Sequence, residues 1–157
     1  MPLHFKLVTP ERILFEEDAS SVTLPTSEGE ITILPKHVPL VAALKPGVAE
    51  LTRADGATED IAVSGGFIQV MEGDRVTVLA DTAERGEELT METIEKAKKH
   101  AEELMRQKKF AGDASFAEAA AALERELARY KTVVRHRARK GLPVLDRANL
   151  PKSKNEV

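Results

Sequence analysis

The sequence predicts a β + α chain in which an amino-terminal antiparallel β-sandwich precedes a carboxy-terminal antiparallel α-helical hairpin. Three observations carry this. Up to Ala80 the apolar residues alternate in short runs separated by Gly, Pro and Asp. After Gly86 they recur at spacings of three and four inside long charged segments. The charge reverses across the same junction: residues 1–88 hold 7 Lys and Arg against 16 Asp and Glu, whereas residues 89–157 hold 16 against 10. Such opposition favours either docking of the helical part on the front module or separate partners of opposite charge.

Taken in order, alternation predicts strands over 4–9, 21–24, 31–34, 38–44, 48–53, 58–63, 67–71 and 75–80, with another beginning at 12–15. Pro10, Pro25 and Pro35 close the early runs. Lys45-Pro46-Gly47 sets a turn, and Asp55-Gly56 between two alternating runs is a strong hairpin signal. Ser64-Gly65-Gly66 reads as a bulge or close backbone approach, and Glu72-Gly73-Asp74 turns the chain again. This makes roughly eight to ten strands, and no helical crossover intervenes to predict parallel pairing.

Past Gly86 the period changes. Thr90 can cap a helix with Glu92 in its first turn, and Ile94, Ala97, Ala101, Leu104 and Met105 form a narrow apolar stripe. Residues 110–114 interrupt it, and Ser115 with Glu118 is a capping box for a second helix. There Phe116, Ala120, Leu123, Leu127, Tyr130 and Val134 step as a heptad seam, and Gly141 followed by Pro143 supplies the stop. Alanine-rich seams bury little area, so the hairpin depends on what it docks against. The expected domains are a sandwich over 1–86, a hairpin over 87–141 and a mobile tail over 142–157.

Composition excludes several functions. At 157 residues with 42% hydrophobic content the chain suits one modest core plus an appendage. No Cys is present for a disulfide, a thiolate nucleophile or a Cys-ligated zinc. No apolar run approaches the roughly 20 residues of a membrane span, and the amino terminus lacks a signal-peptide pattern. The expectation is a soluble, unexported chain. Ser64-Gly65-Gly66 with His37 does not make a nucleophile elbow, because the Gly pair leads into a strand rather than a helix. His4, His37, His100 and His136 lie at no metal-ligand spacing, and no phosphate-binding glycine motif occurs. Neither catalysis nor a bound metal is expected.

One constellation remains. From Arg125 onward the second helix carries Arg125, Arg129, Lys131, Arg135, Arg137, Arg139 and Lys140, and Glu126 is its last acid. A solvated face near a helix carboxyl end accounts for such a run as well as an acidic protein partner does. Nucleic acid is the weaker choice, since the front module is acidic and the chain has one Tyr and no Trp.

Residues 27–47, "SEGEITILPKHVPLVAALKPG", 63–70, "VSGGFIQV", and 76–89, "VTVLADTAERGEEL", closely resemble the epsilon subunit of bacterial F-type ATP synthases. The resemblance runs from about Phe5 to Lys140 in unbroken order. It implies a sandwich of about ten strands and a helical hairpin in a non-catalytic central-stalk subunit, peripheral on the cytoplasmic face of the inner membrane. The implied partners are the gamma subunit, the c-ring, and the beta and alpha subunits. Carried over by motif, Glu30 and His37 face the c-ring, and Arg129, Arg135 and Arg139 lead an inhibitory contact with beta. Gly86 becomes the hinge between a fixed coupling module and a mobile hairpin.

Some members of that family bind ATP through an I/L-D-x-x-R-A motif on the first helix and two arginines on the second. Here Thr90 and Thr93 replace the Asp and Arg, while Arg125 and Arg129 keep the spacing of four as residual nucleotide contacts. Losing charge-assisted contacts of about 1.5–3 kcal/mol weakens binding roughly ten- to a hundredfold, so no cofactor is expected. Two other classes compete with the rotor reading: a free-standing adaptor whose hairpin binds another protein, and a nucleotide sensor.

Overall fold

The computed structural model describes residues 2–108 and 113–142. Among them, eight strands come first: β1 (Leu3–Val8), β2 (Ile13–Ala19), β3 (Ser21–Thr26), β4 (Gly29–Ile33), β5 (Leu40–Leu44), β6 (Gly47–Thr52), β7 (Thr58–Met71) and β8 (Arg75–Arg85). A 3-10 turn over Gly86–Glu88 leads to two helices, α1 (Met91–Lys108) and α2 (Asp113–Arg139).

The strands are joined in the order β2-β1-β8-β7-β5-β3-β4, with β6 bridging β3 and β7. Leu40–Leu44 pairs with the second half of β7 and Gly47–Thr52 with its first half, so β5 and β6 lie end to end along one long strand. The sheet thus folds over on itself as a sandwich. Alternation fills the interior: Leu3, Phe5 and Leu7 of β1 meet Leu24, Ile33, Ile61, Ile68, Val76 and Val78 in one contiguous core.

Four expectations change. The runs 58–63 and 67–71 are a single strand, because Gly65 (φ 47°) and Gly66 (φ 131°) bend the chain without ending its pairing to β8. A Cβ at Gly66 would overlap the Leu79 carbonyl oxygen, so the close approach read from the glycine pair is present. β8 runs on past Ala80 to Arg85, and the fusion turns nine predicted runs into eight strands among the described residues, against the about ten that the resemblance implies. Finally, β1 and β8 pair in parallel. No crossover helix announces that pair, because the six strands between its members make the return.

Thr90 immediately precedes α1, as its capping role requires, and its carbonyl accepts the Ile94 N–H at 3.2 Å. α2 starts at Asp113, two residues before the predicted capping box. It ends as expected, with Gly141 at φ 67° and the Leu142 N–H donating to the Arg137 carbonyl at 3.0 Å. The predicted seam is only half right. Phe116 is 38% exposed, and the buried residues fall on two roughly opposite faces, Ala119, Glu126 and Val133 on one and Ala128 and Thr132 on the other. α2 packs on α1 and also on β6, β7 and the Gly86 turn, so it is covered from two sides, and small residues on each face allow close approach. Of the expected interruption over 110–114, residues 113 and 114 belong to α2 while 110–112 lie outside the described residues, as does the expected tail over 142–157 beyond residue 142.

Gly66→Ala is expected to destabilise the sandwich by about 2–4 kcal/mol, since backbone strain and overlap with backbone add. Gly56→Ala, at φ 86° in open space, should cost about 1 kcal/mol. Denaturant unfolding of the two variants checks the order.

Candidate interaction site

The helix pair is clamped to the sandwich by two arginines of α2. Arg129 donates to both carboxylate oxygens of Glu84 on β8 and to Glu126 one turn back on its own helix. Burial opposes its charge, but the Glu84 and Glu126 carboxylates outweigh it and hold the guanidinium above its ordinary pKa. Ten residues on, Arg139 donates to Asp60 on β7 at 2.6 Å and to Glu50 on β6 at 2.9 Å. Its pKa is raised by the Asp60 hydrogen bond, which exceeds the opposing burial. Asp60 is fully buried while Arg139 is partly in water, so the clamp's buried member is the carboxylate. Of the two readings that the opposed charges allow, docking of one half on the other is the one seen here.

Gly86 lies under the same helix. Its φ is not positive, and what the residue supplies is space: a Cβ there would sit 2.7 Å from the Cβ of His136. Just before it, β8 ends on a rigid base. Arg85 donates to Glu59 at 3.0 Å and to the Leu14 carbonyl, and it lies 4.0 Å from the centre of the Phe15 ring. Arg53 bridges Glu59 and Glu17, each at 2.7 Å, and these carboxylates raise its pKa. Gly86 is therefore the first residue beyond a tied strand.

The remaining predicted residues scatter. Arg135 is exposed and lines two clefts under α2. Arg125 has a buried Nε without a hydrogen-bond partner among the described residues, and it does not line the cleft that Arg129 lines. The cleft that Arg129 does line, about 390 Å³, also holds Glu84, Glu88, Glu126, Thr90 and Thr93. The two threonine hydroxyls bond each other at 2.6 Å. Glu30 and His37 lie at opposite ends of β4. Glu30 borders a cleft with Lys131 and Arg135, whereas His37 occupies the turn after β4, where the neighbouring Lys36 N–H donates to Asp74. Ser64, weighed as a nucleophile, bonds the Thr82 hydroxyl at 2.5 Å and sits within β7.

Sequence reasoning missed the acidic halves of the clamp, Glu50, Asp60, Glu84 and Glu126. The net charge of residues 1–88 signalled that acids were available, but not which ones. It also missed an apolar row on the outer face of the sheet. Ala43, Phe67, Leu79, Val8 and Ile13 are successive cross-strand partners on β5, β7, β8, β1 and β2. Phe67 is 61% exposed, Leu79 54% and Ile13 52%. Only register aligns them.

Comparison with known proteins gives a consistent picture. Residues 2–86 match the family described as ATP synthase, Delta/Epsilon chain, beta-sandwich domain. The ATP synthase epsilon chain of Moorella thermoacetica is 41% identical over 129 residues, covering 82% of this chain and 94% of that one. The epsilon chain of Chloroflexus aggregans is 36% identical over 140 residues, covering 89% and 98%. Among solved structures, a chain of the Euglena gracilis mitochondrial ATP synthase superposes with a TM-score of 0.73 at 24% identity, covering 84% of this chain and 81% of that chain. That likeness shows the fold.

Gly86→Ala should loosen the helix pair without melting the sandwich. The expected readout is faster hydrogen exchange across α2 with unchanged exchange in β1, β7 and β8. Arg139→Ala leaves the Asp60 carboxylate buried alone. It should lower docking stability by about 2 kcal/mol, less than a fully buried pair because Arg139 is half in water.

Proposed function

The chain belongs to the ATP synthase epsilon-chain family, and from that premise we propose that it couples the rotor through its sandwich and restrains ATP hydrolysis through its helix pair. As an epsilon chain it is a non-catalytic subunit of the central stalk. No described helix is long and apolar enough to cross a membrane, which fits a peripheral position in the F1 portion. We assign it to the cytoplasmic face.

The observation that carries the regulatory half is the double use of the α2 arginines. Arg129 and Arg139 are the cations expected to meet an acidic loop of beta, yet in the docked arrangement four carboxylates of this chain already hold them. The two engagements exclude each other. Docking withholds the basic face of α2, and release about Gly86 presents it as an extended hairpin. The internal acids and the partner's acids compete for the same guanidinium groups, so a modest change in either set moves the balance.

For the coupling half, the apolar row from Ala43 to Ile13 is the surface we assign to gamma, since exposed aromatic and aliphatic residues in register make an interface core. The turn carrying His37, flanked by the exposed Leu34 and Val38, is assigned to the c-ring. Glu30 is a weaker contact, being at the other end of β4. The Euglena chain that this fold resembles comes from an assembly of OSCP, F1 and c-ring. ATP is not a ligand in this reading. Three carboxylates line the cleft beside Thr90 and Thr93, and its single guanidinium is already paired.

Variants of the clamp have opposite expected signs. Glu84→Gln with Asp60→Asn frees the arginines and should deepen inhibition of ATP hydrolysis by the F1 head reconstituted with this chain. Arg129→Ala, Arg135→Ala and Arg139→Ala together should relieve it. Effects of the same sign from the acid and the arginine variants would refute competition for the arginines. Calorimetry with millimolar ATP should give no binding heat.

A further inference from the structure

We propose that the cleft under the carboxyl half of α2 binds a small phosphate anion, inorganic phosphate or a soluble monoester, and that the bound anion bridges the helix to the sandwich. The cleft holds about 190 Å³. It is bordered by Lys45 and Gly47 of the β5–β6 turn, by Glu30, and by Lys131 and Arg135 one turn apart on α2. At about 30 Å³ per water-sized group, a tetrahedral oxyanion fits with room for water. A nucleotide needs the few hundred Å³ of a larger site.

Charge supplies the second argument. Arg129 and Arg139 each take two carboxylates. Lys45, Lys131 and Arg135 form no ion pair among the described residues, and the lining offers them one carboxylate, Glu30. Docking therefore brings three cations to one small space in an otherwise acidic module. Without an anion they repel; a dianion converts the repulsion into charge-assisted hydrogen bonds. The planar fork of Arg135 suits two phosphate oxygens, and the lysines add point charges from either wall.

Because Lys45 belongs to the sandwich and the other two to α2, the complete site exists only while the helix is docked. By linkage, the anion stabilises that arrangement. This inference rests on the docked geometry and not on the proposed inhibition of hydrolysis.

The test uses the full chain, titrated with inorganic phosphate against sodium chloride of equal ionic strength, and followed by calorimetry and by hydrogen exchange of α2. Phosphate should bind with a Kd on the order of millimolar and slow exchange in α2, while chloride does neither. Arg135→Ala and Lys45→Ala should each weaken binding at least about tenfold, and Glu30→Gln should tighten it. Glycerol phosphate should act like inorganic phosphate. No difference between phosphate and chloride, or equal binding by the wild-type and Arg135→Ala chains, would overturn the site. So would a response confined to phosphatidic acid vesicles, which would assign the cations to a lipid surface.

Discussion

The ion pairs of Arg129 and Arg139 with the sandwich are what the arrangement of this molecule depends on. Among the described residues, the apolar cluster at the helix pair is small: Met91, Ile94 and Val133 with Leu89 and Tyr130 against them. At about 25 cal/mol per Å² of buried apolar surface, a cluster of that size contributes only a few kcal/mol. Helical stability in a folded protein comes mostly from tertiary packing of an apolar face rather than from propensity, so what holds that face matters. The partly buried Arg129 cluster and the Arg139 cluster anchored on the buried Asp60 therefore join this modest packing in deciding where α2 lies.

Those clusters stabilise position conditionally. A buried ion pair gains in attraction roughly what it loses in desolvation, so its net contribution is modest while the penalty for removing one partner is large. Arg125 adds a cost on the docked side, because a buried donor without an acceptor is worth about 1–3 kcal/mol against the state that contains it. The proposed release requires a docked arrangement held by small net gains, and the modest ion pairs and the buried Arg125 Nε agree with that requirement. The sandwich itself has no such balance. Its core is continuous and apolar, and the network of Arg53, Arg85, Glu17 and Glu59 closes over Phe15 beside the helix junction.

The junction shows how a glycine's role differs between chain and fold. Gly86 read alone suggests backbone freedom. In place, its backbone is unexceptional, and its missing side chain admits His136. Gly65 and Gly66 show the reverse, where positive φ and a carbonyl pressed against the backbone are both present and keep one strand running through two halves of the sheet. The same residue type thus marks a bend within a strand in one place and a close helix contact in the other.

Most of the local structure was legible in the sequence. The alternation of Leu3, Phe5 and Leu7, the Asp55-Gly56 turn, the change of period at Gly86, the helix start after Thr90 and the stop at Gly141 each follow from neighbours within a few residues. Tertiary structure alone decided the parallel pairing of β1 with β8, the fusion of two runs into β7, the apolar row from Ala43 to Ile13, and the acids that hold each arginine. The physical reason is range. Propensity, capping and turn chemistry act within a helical turn or a hairpin, whereas Arg129 finds Glu84 across 45 residues and Arg139 finds Glu50 across 89. Opposite charge said that the two halves could meet, and only the packed register of strand and helix chose which side chains do.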